Sequence, residues 1–203
     1  MKIVIEGMDG VGKSTVAKEV ARQLNAKYSD GLMTNFFWEE GMTEQETAII
    51  KKAIDICSDN ENSIIRTWIY GFANLFNMLH YETDVVIDRH CLTTYFYNAD
   101  DDSREIYKYM QKFMGKPDIV FILRASEETR RERICGRNAN DPDLLSKKKM
   151  QYGYDVMEEA AQYLKLNYRI IDTDDKDMFM VVEEILSIIK GDDTHGAVLA
   201  DNR

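Results

Sequence analysis

Ile3-Val4-Ile5-Glu6-Gly7-Met8-Asp9-Gly10-Val11-Gly12-Lys13-Ser14-Thr15 decides the fold. Three branched apolar residues running into glycine read as a buried parallel strand. After the stretch, Val16, Ala17, Val20, Ala21 and Leu24 form one apolar helical stripe. Between strand and helix, Gly7 to Ser14 fit G-x-x-x-x-G-K-[ST], and the pattern carries meaning only in that strand–loop–helix context. The glycines let the backbone close into a ring of N–H donors around phosphate oxygens. The helix N-terminus adds partial positive charge. Lys13 then reaches the β- and γ-phosphates, and Ser14 offers its hydroxyl to Mg²⁺. Gly7, Asp9, Gly10, Gly12, Lys13, Ser14 and Thr15 are the expected ATP-binding residues.

Working outward, Asp84-Val85-Val86-Ile87-Asp88 is a second strand, Asp118–Leu123 a third and Tyr168–Asp172 a fourth, with a weakly signalled strand near 26–30. Helices are expected over 43–57, 63–80, 103–115, 127–136, 143–164 and 177–190. The helix at 63–80 is apolar nearly all round, so it reads as buried. Alternating strands and helices predict an α/β fold, a parallel sheet covered by helices on both faces. A single domain spans 1–190, and 191–203 read as a polar tail.

Composition bounds the partners. The chain has 203 residues, 44% hydrophobic and 31% charged, with a net charge of −10, which suits one globular domain. Acidity argues against nucleic acid and against anionic membrane surfaces. Cys57, Cys91 and Cys135 have neither disulfide nor zinc spacing, so a reducing cytoplasm is the expected location. The start is too short an apolar run for a signal peptide, and no stretch nears the roughly 18 apolar residues of a membrane span. The charge is unevenly spread. Residues 124–149 hold eight basic against five acidic side chains, a local charge of +3, leaving −13 for the rest.

Asp88 ends a buried strand at the carboxyl edge of the sheet, where open α/β sheets bind ligands. An acid there holds Mg²⁺ or its water in P-loop proteins, and Arg89 beside it suits an anionic ligand. Arg130, Arg133 and Arg137 share one helical face.

Glu6-Gly7-Met8-Asp9-Gly10-Val11-Gly12-Lys13-Ser14-Thr15 resembles the opening of thymidylate kinases, E-G-x-D-G-x-G-K-S-T. Asp88-Arg89-His90-Cys91-Leu92-Thr93-Thr94-Tyr95-Phe96-Tyr97-Asn98 resembles that family's D-R-[YH]-x-x-S-[ST]-x-A-Y-Q, with Thr93 for Ser and Asn98 for Gln. Pro117-Asp118 and then Glu128, Arg133 and Arg137 extend the likeness through the lid helix. The resemblance implies a three-layer P-loop kinase fold, a five-stranded parallel sheet with helices on both faces and a small helical lid at about 126–146. It also implies transfer of the γ-phosphoryl of ATP, with Mg²⁺, to a deoxynucleoside monophosphate, most naturally dTMP. It implies Lys13, Arg133, Arg137 and Asp88 as catalytic, Ser14 and Asp88 as metal-holding, and Asp9, Phe72, Arg89, Tyr97 and Asn98 on the acceptor. Arg89 would hold the acceptor phosphate, Tyr97 would lie under the deoxyribose, and Phe72 would stack on the base. The family commonly forms dimers, so a homodimer is an option, and the helix at 63–80 could serve its interface as easily as the core.

Two family features are missing, both on the acceptor side. Residues 31–50, where the family carries R-E-P-G-G-T, hold no Arg, Lys or Pro. Residues 67–82, where it carries F-x-A-x-R, hold no Arg or Lys, and Asn74 falls near the lost arginine. An alternative is therefore a deoxynucleoside kinase with an uncharged acceptor, using Glu39 or Glu40 as base for the 5′-hydroxyl. A third reading, from another class, is a regulatory domain that hydrolyses ATP slowly.

Overall fold

The computed structural model describes residues 1–31, 41–145, 150 and 153–191. The tail from 192 onward and Trp38, Glu39 and Glu40 lie outside the described residues. Five parallel strands run in the order β2-β3-β1-β4-β5: β1 (Lys2–Gly7), β2 (Lys27–Ser29), β3 (Val85–Asp88), β4 (Ile119–Arg124) and β5 (Tyr168–Asp172). All four pairings are parallel, with Ile5 opposite Asp88 and Gly7 opposite Leu123. That register brings the end of β1 and the end of β3 to the same edge, so the P-loop and the Asp88-Arg89 turn emerge side by side.

Side chains alternate between the two faces of a strand, and the core divides accordingly. Ile3, Ile5, Val86, Phe121 and Leu123 pack under α1 (Lys13–Leu24) and the last helix. Val4, Val85, Ile87, Val120 and Ile122 pack against the helices of the opposite face. Besides α1, the described helices of the chain are α2 (Glu44–Ser58), α3 (Ser63–Leu79), α4 (Cys91–Asn98), α5 (Arg104–Met114), α6 (Glu127–Arg137), α7 (Tyr154–Tyr163) and the last helix, α8 (Met178–Lys190), with a 3₁₀ turn at Pro142–Leu145. The five-stranded α/β sheet covered on both faces is thus as expected. Two expectations are corrected. The helix at 143–164 is divided, with α7 beginning only at Tyr154 after Gly153. A Cβ at Gly153 would lie 2.3 Å from the Phe96 ring, so the close approach there demands glycine.

The larger correction concerns α3, whose apolar surface is not its buried surface. Ile64, Ile65, Trp68, Phe72 and Leu79 are 39–55% exposed, while Ser63, Thr67, Asn74 and Asn77 are buried. Three of these four buried polar side chains are matched by partners outside the helix. Ser63 donates to Asp100, Asn74 to the Thr94 hydroxyl, and Asn77 joins the Ser29 hydroxyl to the Gly31 carbonyl. With these bonds made, burial of Ser63, Asn74 and Asn77 is not penalised. The apolar stripe is left outside, beside Ile49 and Ile56 of α2, which are also exposed.

Candidate active site

Gly12 caps α1 in the left-handed region at φ 99°, and Lys13, the first helical residue, is buried. Its ammonium donates to the Met8 carbonyl at 2.8 Å and lies 3.9 Å from an Asp9 carboxylate oxygen. Burial first, then the neighbouring Arg89 guanidinium, pull the Lys13 ammonium down to about 8, with Asp9 and Asp88 partly offsetting them. Lysine thus stands inside its own loop, charged at neutral pH and short of full compensation, which suits an incoming polyphosphate.

Asp9 joins the two halves of the site. Its Oδ1 accepts from Arg89 Nη2 at 2.5 Å and its Oδ2 accepts from the Tyr97 hydroxyl at 3.1 Å. Burial alone would push its carboxyl up. The charges of Lys13 and Arg89 and the bonds from Arg89 and Tyr97 outweigh burial and hold the carboxyl well below the usual carboxylate range. Burial and Asp9 push the Tyr97 phenol up, so it remains a neutral donor. Three elements (β1 with its loop, the turn after β3, and α4) therefore bring Asp9, Lys13, Arg89 and Tyr97 together.

Asp88 is 3% exposed. One carboxylate oxygen accepts from the Tyr28 hydroxyl at 3.4 Å, and the other has no hydrogen-bond partner. A buried acceptor without a donor is costly unless something else approaches it. Beside a P-loop lysine, with Ser14 at the exposed start of α1, this fits a hydrated Mg²⁺ that keeps most of its ligands as water and phosphate oxygens. No group of three or more His, Cys, Asp or Glu side chains able to hold a metal occurs among the described residues.

The arginines of α6 occupy unlike positions. Arg130 is fully buried and its Nε donates to the Asp9 carbonyl at 2.8 Å. Arg133 donates to the Val11 carbonyl at 3.2 Å and to the hydroxyl and carbonyl of Thr173, at 3.0 and 2.6 Å. These two tie α6 to the P-loop and to the segment after β5. A Cβ on Gly10 would sit 2.7 Å from the Arg130 carbonyl, so close docking of helix on loop requires glycine at that turn, where φ is 84°. Arg137 alone of the three is well exposed, paired with Asp141 at 2.6 Å. The helix of the expected lid is docked on the P-loop through Arg130 and Arg133, and Glu127, Glu128, Arg131, Glu132 and Arg137 on its other sides are exposed.

Two acceptor-side residues stand apart from the cluster. Phe72 is half-exposed and stacks toward Phe76 at 6.5 Å between ring centroids, on the side of α3 opposite Asn74. Tyr70, one helical turn before Asn74, lies on the same side of α3 as Asn74. Asn98 is buried, with its amide donating to the Thr94 carbonyl at 3.0 Å. His90 is also buried, and burial brings its ring down to about 4, so it stays neutral. Burial pushes the Cys91 thiol up, which leaves it unreactive.

A model of the AAA domain matches residues 3–177. The chain belongs to the AAA domain family. It is also 29% identical, over 200 residues, to a Methanocaldococcus jannaschii protein named "Probable thymidylate kinase", covering 94% of this chain and 96% of that one. It is 26% identical to the thymidylate kinase of Ligilactobacillus salivarius over 204 residues, covering 92% and 96%. The fold is shared with deoxyadenosine kinase from M. mycoides (TM-score 0.57, 18% identity, 94% and 99% coverage) and with shikimate kinase from Acinetobacter baumannii (0.55, 18%, 96% and 95%). The resemblance to thymidylate kinases therefore holds along nearly the whole chain, and this AAA-domain protein is a nucleotide kinase. Among the described residues, no helix is long and apolar enough to cross a membrane.

Proposed function

We propose that this kinase moves the γ-phosphoryl group of ATP, with Mg²⁺, onto the 5′-phosphate of a deoxynucleoside monophosphate, dTMP. One observation carries the reading: Asp9 binds Arg89 and Tyr97 while lying 3.9 Å from Lys13. The groups for the acceptor and the group for the donor phosphates thus meet on one carboxylate, as an in-line transfer requires. An acceptor phosphate oxygen attacks the γ-phosphorus, the bond to the β–γ bridging oxygen breaks, and ADP leaves. Charge spreads over the equatorial oxygens, and fixed cations and donors stabilise it.

In this reading Gly7, Gly10, Gly12 and Thr15 shape the donor cradle, and Lys13 neutralises the β- and γ-phosphates. Ser14 and Asp88 hold the metal or its water. Arg89 leaves Asp9 for the acceptor phosphate, and Tyr97 packs under a sugar that lacks a 2′-hydroxyl. Arg133 fastens the P-loop near the donor, while Arg137 would exchange Asp141 for the transferring phosphoryl group, reaching it from the segment 126–146. Tyr70 takes the base-stacking place first given to Phe72. Asn98 reaches the base edge through its amide oxygen.

A second reading, a deoxynucleoside kinase, is favoured by one feature. The charge of Arg89 is matched by Asp9, and the site-facing side of α3 carries Thr67 and Asn74 where a cation would be needed for a dianion. An uncharged acceptor would not need that cation. Incubation with ATP, Mg²⁺ and either dTMP or thymidine separates the two. ADP release with dTMP supports the first reading, release with thymidine alone replaces it by the second, and release with neither overturns both. The exposed apolar residues Ile49 and Ile56 of α2 and Ile65, Trp68 and Phe72 of α3 support a homodimer closed across these helices, which light scattering would test.

A further inference from the structure

Glu6 immediately precedes the first P-loop glycine, yet its carboxylate serves another segment. It is fully buried. Oε1 accepts from the His90 and Leu92 backbone N–H groups, both at 2.9 Å. Oε2 accepts from the Thr93 N–H at 3.2 Å and the Thr93 hydroxyl at 2.5 Å. All four partners donate, so the acceptor-only ionised form fits, although burial pushes the carboxyl up against them. The three N–H groups belong to the first turn of α4 and the residue that caps it, where a negative charge is favoured by the helix dipole.

The segment so held contains an unusual residue. Arg89 has φ 74°, a conformation that costs a residue other than glycine free energy unless its surroundings hold it. Its peptide is pressed from the other side by Gly31, where a Cβ would come within 2.3 Å of both the Asp88 and the Arg89 carbonyl oxygens. His90 Nε2 lies 3.2 Å from the Asn74 carbonyl. Tyr97 is one helical turn beyond Thr93, so the position of the α4 start sets where its hydroxyl falls.

We infer that Glu6 is a positioning residue for the acceptor: by gripping His90, Leu92 and Thr93 it holds the left-handed turn at Arg89 and the start of α4, and so sets where Arg89 and Tyr97 meet Asp9. The inference rests on the acceptor roles given to Arg89 and Tyr97. It also explains why Thr93 can stand for the related serine, since only a hydroxyl is needed.

Thr93→Val removes one bond to Glu6 and keeps the shape, and Glu6→Gln replaces one carboxylate oxygen by a group that repels two donors. Both are made in the full chain, with KM measured for ATP and for the acceptor, dTMP and thymidine being run in parallel. Thr93→Val is expected to raise the acceptor KM about three- to tenfold and to leave the ATP KM within about twofold, as loss of one bond to a charged group implies. In an Arg89→Ala background the same change should add less than about twofold, because effects passing through one residue are not additive. A folded Thr93→Val with an unchanged acceptor KM overturns the inference. So does a loss that is equal for both substrates and additive with Arg89→Ala, which marks a structural role only. If Glu6→Gln does not fold, Thr93→Val decides. If the wild type takes thymidine and not dTMP, the monophosphate reading falls while Glu6 is still tested on the thymidine KM, with Tyr97→Phe as the background. A wild type that takes neither overturns the functional reading and this inference with it.

Discussion

The donor half and the acceptor half of this site are built by different means. The donor half is mostly backbone: a glycine loop, a helix N-terminus and one buried lysine, braced from behind by Arg130 and Arg133. The acceptor half is side chains from separate elements, joined by hydrogen bonds between residues about eighty to ninety positions apart in sequence. Backbone cradles hold any polyphosphate and tolerate little change. Side-chain sites decide which acceptor fits and can drift, as the cation-free face of α3 has done.

The comparison breaks most easily at Lys13. Lys13→Ala should leave melting nearly unchanged or slightly higher, since it removes a buried ammonium, and lower kcat by at least about a hundredfold, in the range known for deleting one donor to developing charge. Steady-state kinetics with a melting curve would check this. Wild-type turnover would mean that the donor half is not the working cradle.

Arg89→Ala tests the other half. It should raise the KM for dTMP by about tenfold or more and leave the KM for ATP nearly unchanged, because a charge-assisted contact to a dianion is lost. The same variant assayed with thymidine should show no such selective rise. A rise shared equally by ATP and dTMP would show Arg89 to be part of the donor half.

A smaller effect comes from the Lys13 charge. Its ammonium lies at about 8, below the ordinary 10.5. Free enzyme therefore loses the charge as pH climbs through about 8, and kcat/KM for ATP should fall there, by up to about tenfold per unit. Bound phosphates favour the charged form, so kcat itself should stay level to higher pH. Between about 8 and 10.5 the unfolded chain binds more protons at this lysine than the native state does. The contribution of Lys13 to stability accordingly rises with pH across that window. A decline in kcat/KM without a decline in melting temperature would separate the titration from unfolding.

How much could be read from sequence follows the same division. The P-loop is contiguous, and its glycines, lysine and flanking apolar runs are local signals, so β1, the loop and α1 are found where the residues 3–24 suggest. Helix α4 is another matter. Cys91–Asn98 is short and rich in threonine and aromatics, with no capping side chain of its own, and its first turn is satisfied by Glu6 from a distant strand. Nothing local announces a helix whose cap lies more than eighty residues away. α3 misled for the opposite reason. Its many apolar residues signal burial, but Asn74 and Asn77 find partners on α4 and β2, and those bonds, invisible in the sequence, decide which side faces in. Arg130 and Arg133 share a face with Arg137 by spacing alone, and only tertiary contacts reveal that the first two are fastened to the P-loop while the third is not.

The smallest expected effect is the most informative about the join between the halves. Tyr97→Phe removes one hydroxyl that donates to Asp9 at 3.1 Å and leaves the ring in place. Asp9 retains Arg89 and Lys13, so its charge stays compensated and the fold should be unaffected. The KM for a deoxynucleotide acceptor should rise only about two- to fivefold, the lower part of the range for one hydrogen bond, because the hydroxyl acts on the acceptor through Asp9. If the ring itself excludes a 2′-hydroxyl, the preference for the deoxy over the ribo acceptor should survive in Tyr97→Phe and be lost in Tyr97→Ala. Loss of the preference already in Tyr97→Phe would instead assign sugar discrimination to the Tyr97–Asp9 bond, and so to the donor loop that carries Asp9.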